Sequence, residues 1–300
     1  MNHFNLPFSI EPESRDYLLS KNYESKAESY ELKFPKNTKS GSAFMIRIKP
    51  TVSDLDFELN IHLEEGAEVT LIEDWSSEVK AGTINFRSKI ICEENSILKY
   101  IILNAVSSET SLDIRRESQV RRNAVSHIYA YHFGSKKLSS RILQEAQGES
   151  AEMNTDVIAK ADHRRELNFD TKHQYSARNG HGDIRMKGVA EDKGILNFEG
   201  LVNIGQKAGG TAGYLNQETL NLSRETIIKA TPGLKIDTND VKTGHGCAIR
   251  NLSDEDIFYF GARGIGKEEA KRLLVTGFIG EELKKIQSLK PAYERIKKLI

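Results

Sequence analysis

Cysteine is almost missing from this 300-residue chain, which has only Cys92 and Cys247. They lie too far apart for a CxxC zinc or redox motif, so neither a disulfide framework nor a one-chain thiolate cluster is encoded. Cys92, in the strand-like run KIICEENS, reads as a small buried hydrophobe. An excess of one charge is missing too. Lys plus Arg equals Asp plus Glu at 43 each, so no global field favours nucleic acid, an anionic membrane or an acidic substrate. No segment approaches the roughly 20 apolar residues that span a bilayer. The first residues, MNHFNLPFSIEPESRDY, lack the basic start and unbroken apolar stretch of a secretory signal, and a cytoplasmic location is expected. Neither GxxxxGK[ST] nor GxGxxG after a strand occurs, so the chain has no visible means of binding ATP or a dinucleotide.

What is present is alternation. Residues 1–40 read as a polar, partly helical N-terminal arm anchored by Phe4, Phe8, Tyr17, Leu18 and Leu19. From 41 to 252 the chain is a series of short runs such as AFMIRIKP, LDFELNIHL, TINFRSKII, VSHIYAYHF and ILNFEGLVNI, with the period of strands that bury one face. Between them fall the polar turns EEGA, EENS, RRNA, QGES and EDKG. The first four recur every 25 to 30 residues or so, the spacing of solenoid coils; on spacing alone a β-sandwich stays open. No helix of ordinary length interrupts the region, which argues against Rossmann or TIM-type alternation. Past residue 252 the period changes. Ser253 and Asp256 form a capping-box pattern, DEDIFYFGARGIG reads as a short helix closed by Gly264 and Gly266, and Ala270, Leu273, Leu274, Phe278 and Leu283 fall at spacings near three and four. The expected architecture is a mainly β solenoid with a small C-terminal helical subdomain, residues 253–300, that either caps it or docks a partner.

The stretch from His163 to Leu283 resembles the SufB/SufD family of iron-sulfur cluster assembly scaffolds. The resemblance is carried by HQYSARNGHGDIRMKGVAEDKGILNFEGLVNI and, more specifically, by LKIDTNDVKTGHGCAIRNLSDEDIFYFGARGIGKEEAKRLLVTGFIGEEL. It implies a right-handed parallel β-helix, in a version shorter than most of the family. It also implies pairing of two β-helices as a homodimer or a SufB/SufD-like heterodimer, and docking of a SufC-like ABC ATPase on the C-terminal helices. The chain itself would be a non-catalytic scaffold for a transient iron-sulfur cluster. Residues implied to meet the ATPase are Phe258, Tyr259, Arg263, Gly264, Ile265 and Phe278, the first two because Phe258, Tyr259 and Phe260 are consecutive and cannot share one helix face.

His245 falls on a family position linked to cluster assembly in SufD-type chains, and imidazole replaces thiolate on iron in Rieske-like centres. Cys247 projects to the same side of an extended strand, and sulfur beside imidazole suits iron or zinc. A histidine bonded at a β-helix end and a buried strand cysteine are the bland alternatives. Gln217 and Gly246 stand where SufB-type chains have a cysteine and a glutamate, and Thr243 where SufD-type chains often have a cysteine, so no ligand set can be copied from either branch. Two chains apposing His245 and Cys247 would supply two nitrogens and two sulfurs. His163, His173 and His181, about ten residues apart, are a weak candidate for a stacked ladder. His127 and His132 have opposite parity. Arg115, Arg116, Arg121 and Arg122 read as a solvated basic edge. The competing functions are a SufD-like stabiliser that binds no iron and a β-helix carbohydrate-active enzyme, for which no carboxylate pair at a set separation is evident.

Overall fold

A computed structural model describes residues 8–11, 17–22, 28–48, 54–75 and 82–298. The strands in chain order are β1 (Phe8–Glu11), β2 (Leu18–Asn22), β3 (Glu28–Phe34), β4 (Phe44–Ile48), β5 (Leu55–Leu63), β6 (Glu68–Trp75), β7 (Gly82–Cys92), β8 (Ile97–Asn104) and β9 (Thr110–Val120). They continue as β10 (Val125–His132), β11 (Lys137–Ala146), β12 (Glu152–Ala161), β13 (Glu166–Tyr175), β14 (His181–Ala190), β15 (Ile195–Ile204), β16 (Thr211–Asn221), β17 (Ile227–Ile236) and β18 (Val241–Asn251). Helices α1 (Asp254–Gly261), α2 (Lys267–Lys284) and α3 (Lys290–Lys297) follow.

From β3 onward successive strands alternate between two sheets. One has the order β1-β4-β6-β8-β10-β12-β14-β16-β18 and the other β17-β15-β13-β11-β9-β7-β5-β3-β2. Each coil of the solenoid donates one strand to each sheet, and the pairing is parallel. Register partners lie 27 residues apart at Val125 and Glu152, 29 at Phe169 and Phe198, and 32 at Ile195 and Ile227. The corner leading from the second sheet to the first explains the repeating turns. Asn37, Gly66, Asn95, Asn123, Ser150, Asn179 and Gly210 all have positive φ, and each N–H bonds the carbonyl of the next coil's corner, as from Asn95 to Arg122 and from Asn123 to Glu149. Asn and Gly enter this left-handed conformation most easily. Gly66 has a second reason: a Cβ there would stand 2.4 Å from the Asn37 side-chain oxygen.

Inward side chains fill a continuous apolar core from Phe8 to Leu215, but the filling is not purely apolar. Glu73 and Arg116, both fully buried, form an ion pair across the interior, and Trp75 Nε1 and Tyr100 Oη also donate to Glu73. The guanidinium lies 5.0 Å from the Phe86 ring centre, and burial, with Glu73 beside it, pushes the Tyr100 phenol up. The expected basic edge is therefore broken up. Arg116 is core, Arg115 pairs with Asp113 on the outer face, and Arg121 and Arg122 bond Gln147 and Glu94 at the corner. His132 accepts from Asn104 at 3.3 Å, and His173 bonds Thr155 at 2.9 Å. Both imidazoles are fully enclosed, and burial pushes them down to about 3.

The two ends differ. At the first, β1 and β2 run antiparallel to β4 and β3 and lay Phe8 and Ile10 over the core. The arm expected to be partly helical is thus strand over most of its described residues, with a turn at 36–37 and no helix among them, because hydrophobic anchors at alternate positions suit a covering strand; Phe4 lies outside the described residues. Among the described residues, the other end, β17 and β18, has no further coil upon it. The helices do not cap it. Val275, Ile279 and Leu283 of α2, with Ile286 and Ile296, pack on the outer face of the first sheet against Ile72, Ile101, Leu103, Tyr131, Ile158, Val189 and Leu220. Charged groups fix the helix there. Asp156, 1% exposed, meets Arg185 at 2.6 Å and Lys285 at 3.1 Å, and Glu282 lies 3.5 Å from Lys187. The face of α2 is rotated from that expected: Val275 and Ile279 are buried and Leu273 is exposed.

Replacing Arg116 alone with alanine is expected to cost about 3–5 kcal/mol, since Glu73 is left charged and buried. The double change Glu73→Leu, Arg116→Met should recover only part of that loss, because the buried Trp75 Nε1 and Tyr100 Oη then lack their acceptor; urea denaturation of both variants checks the difference. The histidines give a pH test. An unfolded imidazole titrates near 6.5 and these do so near 3, so between those values the unfolded chain binds protons that the folded one does not. Stability should therefore fall as pH drops below 6.5, by up to about 1.4 kcal/mol per unit for each histidine, and be flat in this respect above it. Urea midpoints between pH 7.5 and 5 should show this slope, and His173→Gln should reduce it; a midpoint that does not move would mean that the imidazoles are protonated in place.

Candidate functional site

His245 and Cys247 lie on β18, whose register with β16 sets them beside Leu215 and Gln217. Both of those residues face inward and are buried. The pair therefore occupies the inward row of the last coil, on one side of the strand, as alternation predicts. With no coil beyond, inward residues become reachable, and both are exposed. Thr243, on the same row, donates to the Gly213 carbonyl at 2.6 Å. Around them the end coil exposes apolar groups: Ile227 by 59%, Ile249 by 45% and Ile236 by 41%. The outermost strands β17 and β18 also keep one edge of each ladder without a strand partner. Uncovered apolar side chains and open ladder edges are what a second β element covers.

The other histidines singled out in the sequence do not converge here. His163 sits at the opposite corner, from the first sheet to the second, with φ 54° and bonds Asp192, His173 is in the core, and His181 is on the outer face of the first sheet. The proposed ladder is therefore absent: ten residues carry the chain part of a coil, not back to the same column. His127 faces outward, opposite to His132, and lies 2.8 Å from Glu152, which His181 approaches from its other oxygen at 3.1 Å. Among the described residues, no three His, Cys, Asp or Glu side chains are arranged to hold a metal ion. Two donors at the open end are what one chain offers.

Helix α1 leaves this end directly. Its capping box is formed by Ser253 and Asp256, as the sequence indicates. The backbone and hydroxyl of Ser253 hold the Asp256 carboxyl below the usual carboxylate range. No residue of α1 is buried; Phe258 is 79% and Tyr259 56% exposed. Arg263 stacks on the Tyr259 ring, its guanidinium carbon 3.6 Å from the ring centre. Gly264 has φ 77° and Ile265 N–H returns to the Phe260 carbonyl at 3.1 Å, a turn that glycine makes without strain. Phe278 is half-buried against the solenoid, with Lys187 over its ring. The sequence marks Gln217 only as a departure from a SufB-type cysteine; its burial beneath Cys247 emerges from the register.

With the geometry in place, comparison with known proteins is decisive. The family model for the SUF system FeS cluster assembly SufBD core domain matches residues 56–278. The chain belongs to the SufBD family. This SufBD chain is 26% identical over 233 residues to the iron-sulfur cluster assembly protein SufD of Escherichia coli K12, covering 77% of itself and 55% of that protein. It is 26% identical over 221 residues to SufD of Bacillus subtilis, covering 72% and 50%. A SufBD family protein of Staphylococcus saprophyticus is 26% identical over 219 residues, with 72% and 47% covered. The chain thus spans about half the length of these relatives. The matched region contains the coils from β6 through β18, with His245 and Cys247, and most of α2. Among the described residues, no helix is long and apolar enough to cross a membrane.

The two cysteines should differ sharply in reactivity. Cys92 is fully enclosed and burial pushes its thiol up to about 12, whereas Cys247 is exposed. Iodoacetamide at pH 8 should label one thiol in the folded chain, mapped by mass spectrometry to Cys247, and two in urea; labelling of Cys92 without denaturant would contradict the core described above.

Proposed function

We propose that this chain is a cytoplasmic, non-catalytic scaffold on which a transient iron-sulfur cluster is assembled between two paired solenoids. The observation that carries this reading is the asymmetry of the ends: one is closed by β1 and β2, while the other presents His245 and Cys247 side by side in an uncovered apolar rim. A nitrogen and a sulfur donor from each of two chains, as a homodimer or with a SufB/SufD-like partner, meet the four ligands that a cluster ordinarily takes. The cluster is cargo. The chain has no phosphate-binding loop, so nucleotide hydrolysis belongs to a SufC-like ABC ATPase. Helix α1, with Phe258, Tyr259 and the Arg263–Gly264–Ile265 turn, is the surface offered to that partner, and the exposed faces of α2 extend it.

A second reading has a specific observation in its favour. Because no group of three ligand-type side chains is arranged to hold a metal ion among the described residues, a SufD-like stabiliser that pairs and docks while another chain holds the iron is the second reading. Anaerobic co-purification with the ATPase, counting iron and sulfide per complex, separates the two. On the scaffold reading the complex carries iron, and His245→Ala or Cys247→Ser removes it without dissociating the complex. Retention of normal iron by Cys247→Ser would eliminate the scaffold reading. Phe258→Ala with Tyr259→Ala should weaken ATPase binding about tenfold or more, as loss of exposed aromatic anchors does, while shifting stability by no more than about 0.5 kcal/mol.

A further inference from the structure

The coil directly beneath the open end holds more unpaired polarity than packing alone accounts for. Gln217 is fully buried. Its carboxamide nitrogen has the Met186 thioether as partner, at 3.5 Å, and its carboxamide oxygen has none. A thioether is a weak acceptor. On the same inward row, Thr211 and Thr219 also have buried hydroxyls without partners. A methionine or leucine would fill the space of Gln217 without the desolvation cost of an unpaired amide. The space is also kept open from across the interior. Gly200 of β15 has no side chain, and a Cβ there would stand 2.7 Å from Leu215 Cδ1 and 3.0 Å from Gln217 Nε2. Gln217 is the register partner of Cys247, one strand spacing, about 4.8 Å, beneath it. Its terminal torsion is broad, so the carboxamide can exchange the Met186 sulfur for a group bound above.

We infer that Gln217 is a positioning residue for the cargo: its carboxamide donates an N–H to the sulfur, thiolate or sulfide, held at Cys247. This rests on the reading that Cys247 holds the cluster. No bond to iron and no proton transfer is involved. A hydrogen bond to a metal-bound sulfur stabilises its negative charge, raises the reduction potential and slows release of the metal. The weak thioether partner of the amide nitrogen and the unpartnered amide oxygen are the stability cost of that readiness.

The test uses the full chain loaded anaerobically with ferrous iron and sulfide, as wild type, Cys247→Ser, Gln217→Met and Gln217→Glu. The empty Gln217→Met protein should melt at or above the wild-type temperature. Loaded, it should lose iron to a chelator about tenfold faster, in line with the usual effect of deleting an outer-shell partner, and its cluster should reduce at a more negative potential. Gln217→Glu, which keeps an acceptor but loses the donor, should also lose iron faster. Wild-type release rate and potential in Gln217→Met, with no loading of Cys247→Ser, would overturn the inference and leave the scaffold reading intact. A drop of several degrees in melting temperature with unchanged cluster properties would assign Gln217 to packing instead. Wild type that loads no iron would remove both readings together.

Discussion

In a parallel solenoid the backbone of each coil is completed only by its neighbours. An N–H or C=O along an interior strand is satisfied by the coils on either side, and the corner from the second sheet to the first obeys the same rule, with each of its seven left-handed residues bonding the next coil's carbonyl. Once that register is fixed, equivalent positions stack in columns, and a residue's surroundings follow from its column and its distance from an end. The interior coils are interchangeable in this sense. The end coils are not, and each end has its own solution. Two short antiparallel strands close the first. At the second, the inward columns simply run out, and side chains that would be core one coil earlier become accessible. His245 and Cys247 owe their exposure to this position and not to any irregularity of β18.

The same columns explain why the interior contains chemistry that a larger core would avoid. A coil leaves a narrow space between two sheets, and an inward side chain meets only its column neighbours and the opposite wall. Glu73 reaches Arg116 across that space, and Gln144 and His173 share the Thr155 hydroxyl. Such groups fix the alignment of particular coils, because a slip of one residue would leave each of them alone in an apolar column. Gln217 is different in kind: its column neighbour toward the end is a cysteine that faces solvent.

The period-2 runs and the turns EEGA, EENS, RRNA and QGES were enough to indicate coils, because one residue in each of these turns is forced into the same left-handed conformation. The capping box at Ser253 and the shared side of His245 and Cys247 were legible for equally local reasons. The resting place of the helices was not. Runs such as ILKYIIL are apolar on both faces, and alternation cannot say that the second face is covered by α2. Arg116 was misread for a related reason: among four neighbouring arginines, only strand parity distinguishes the one that points inward. The histidine ladder failed because ten residues is a strand length and not a coil length. Gln217 was visible only as a departure from a cysteine position; its burial and its neighbour 30 residues away are matters of register.

Helix α2 alters how the solenoid bears a load. Stacked coils joined by parallel ladders are weakest against peeling, in which a force on the last strand breaks its hydrogen bonds one after another. An 18-residue helix is about 27 Å long, the width of five to six strands at about 4.8 Å spacing, and its seam, continued by Ile286 and Ile296, runs from Leu220 on β16 to Ile72 on β6. Tension applied through α1 reaches β18 on one side and this helix on the other. The helix passes its share to many strands at once, along their stacking direction, where they resist together as a rivet line resists shear. A partner that grips α1 and pulls therefore moves the stapled coils as a single stiff beam, and the open end travels with them undamaged.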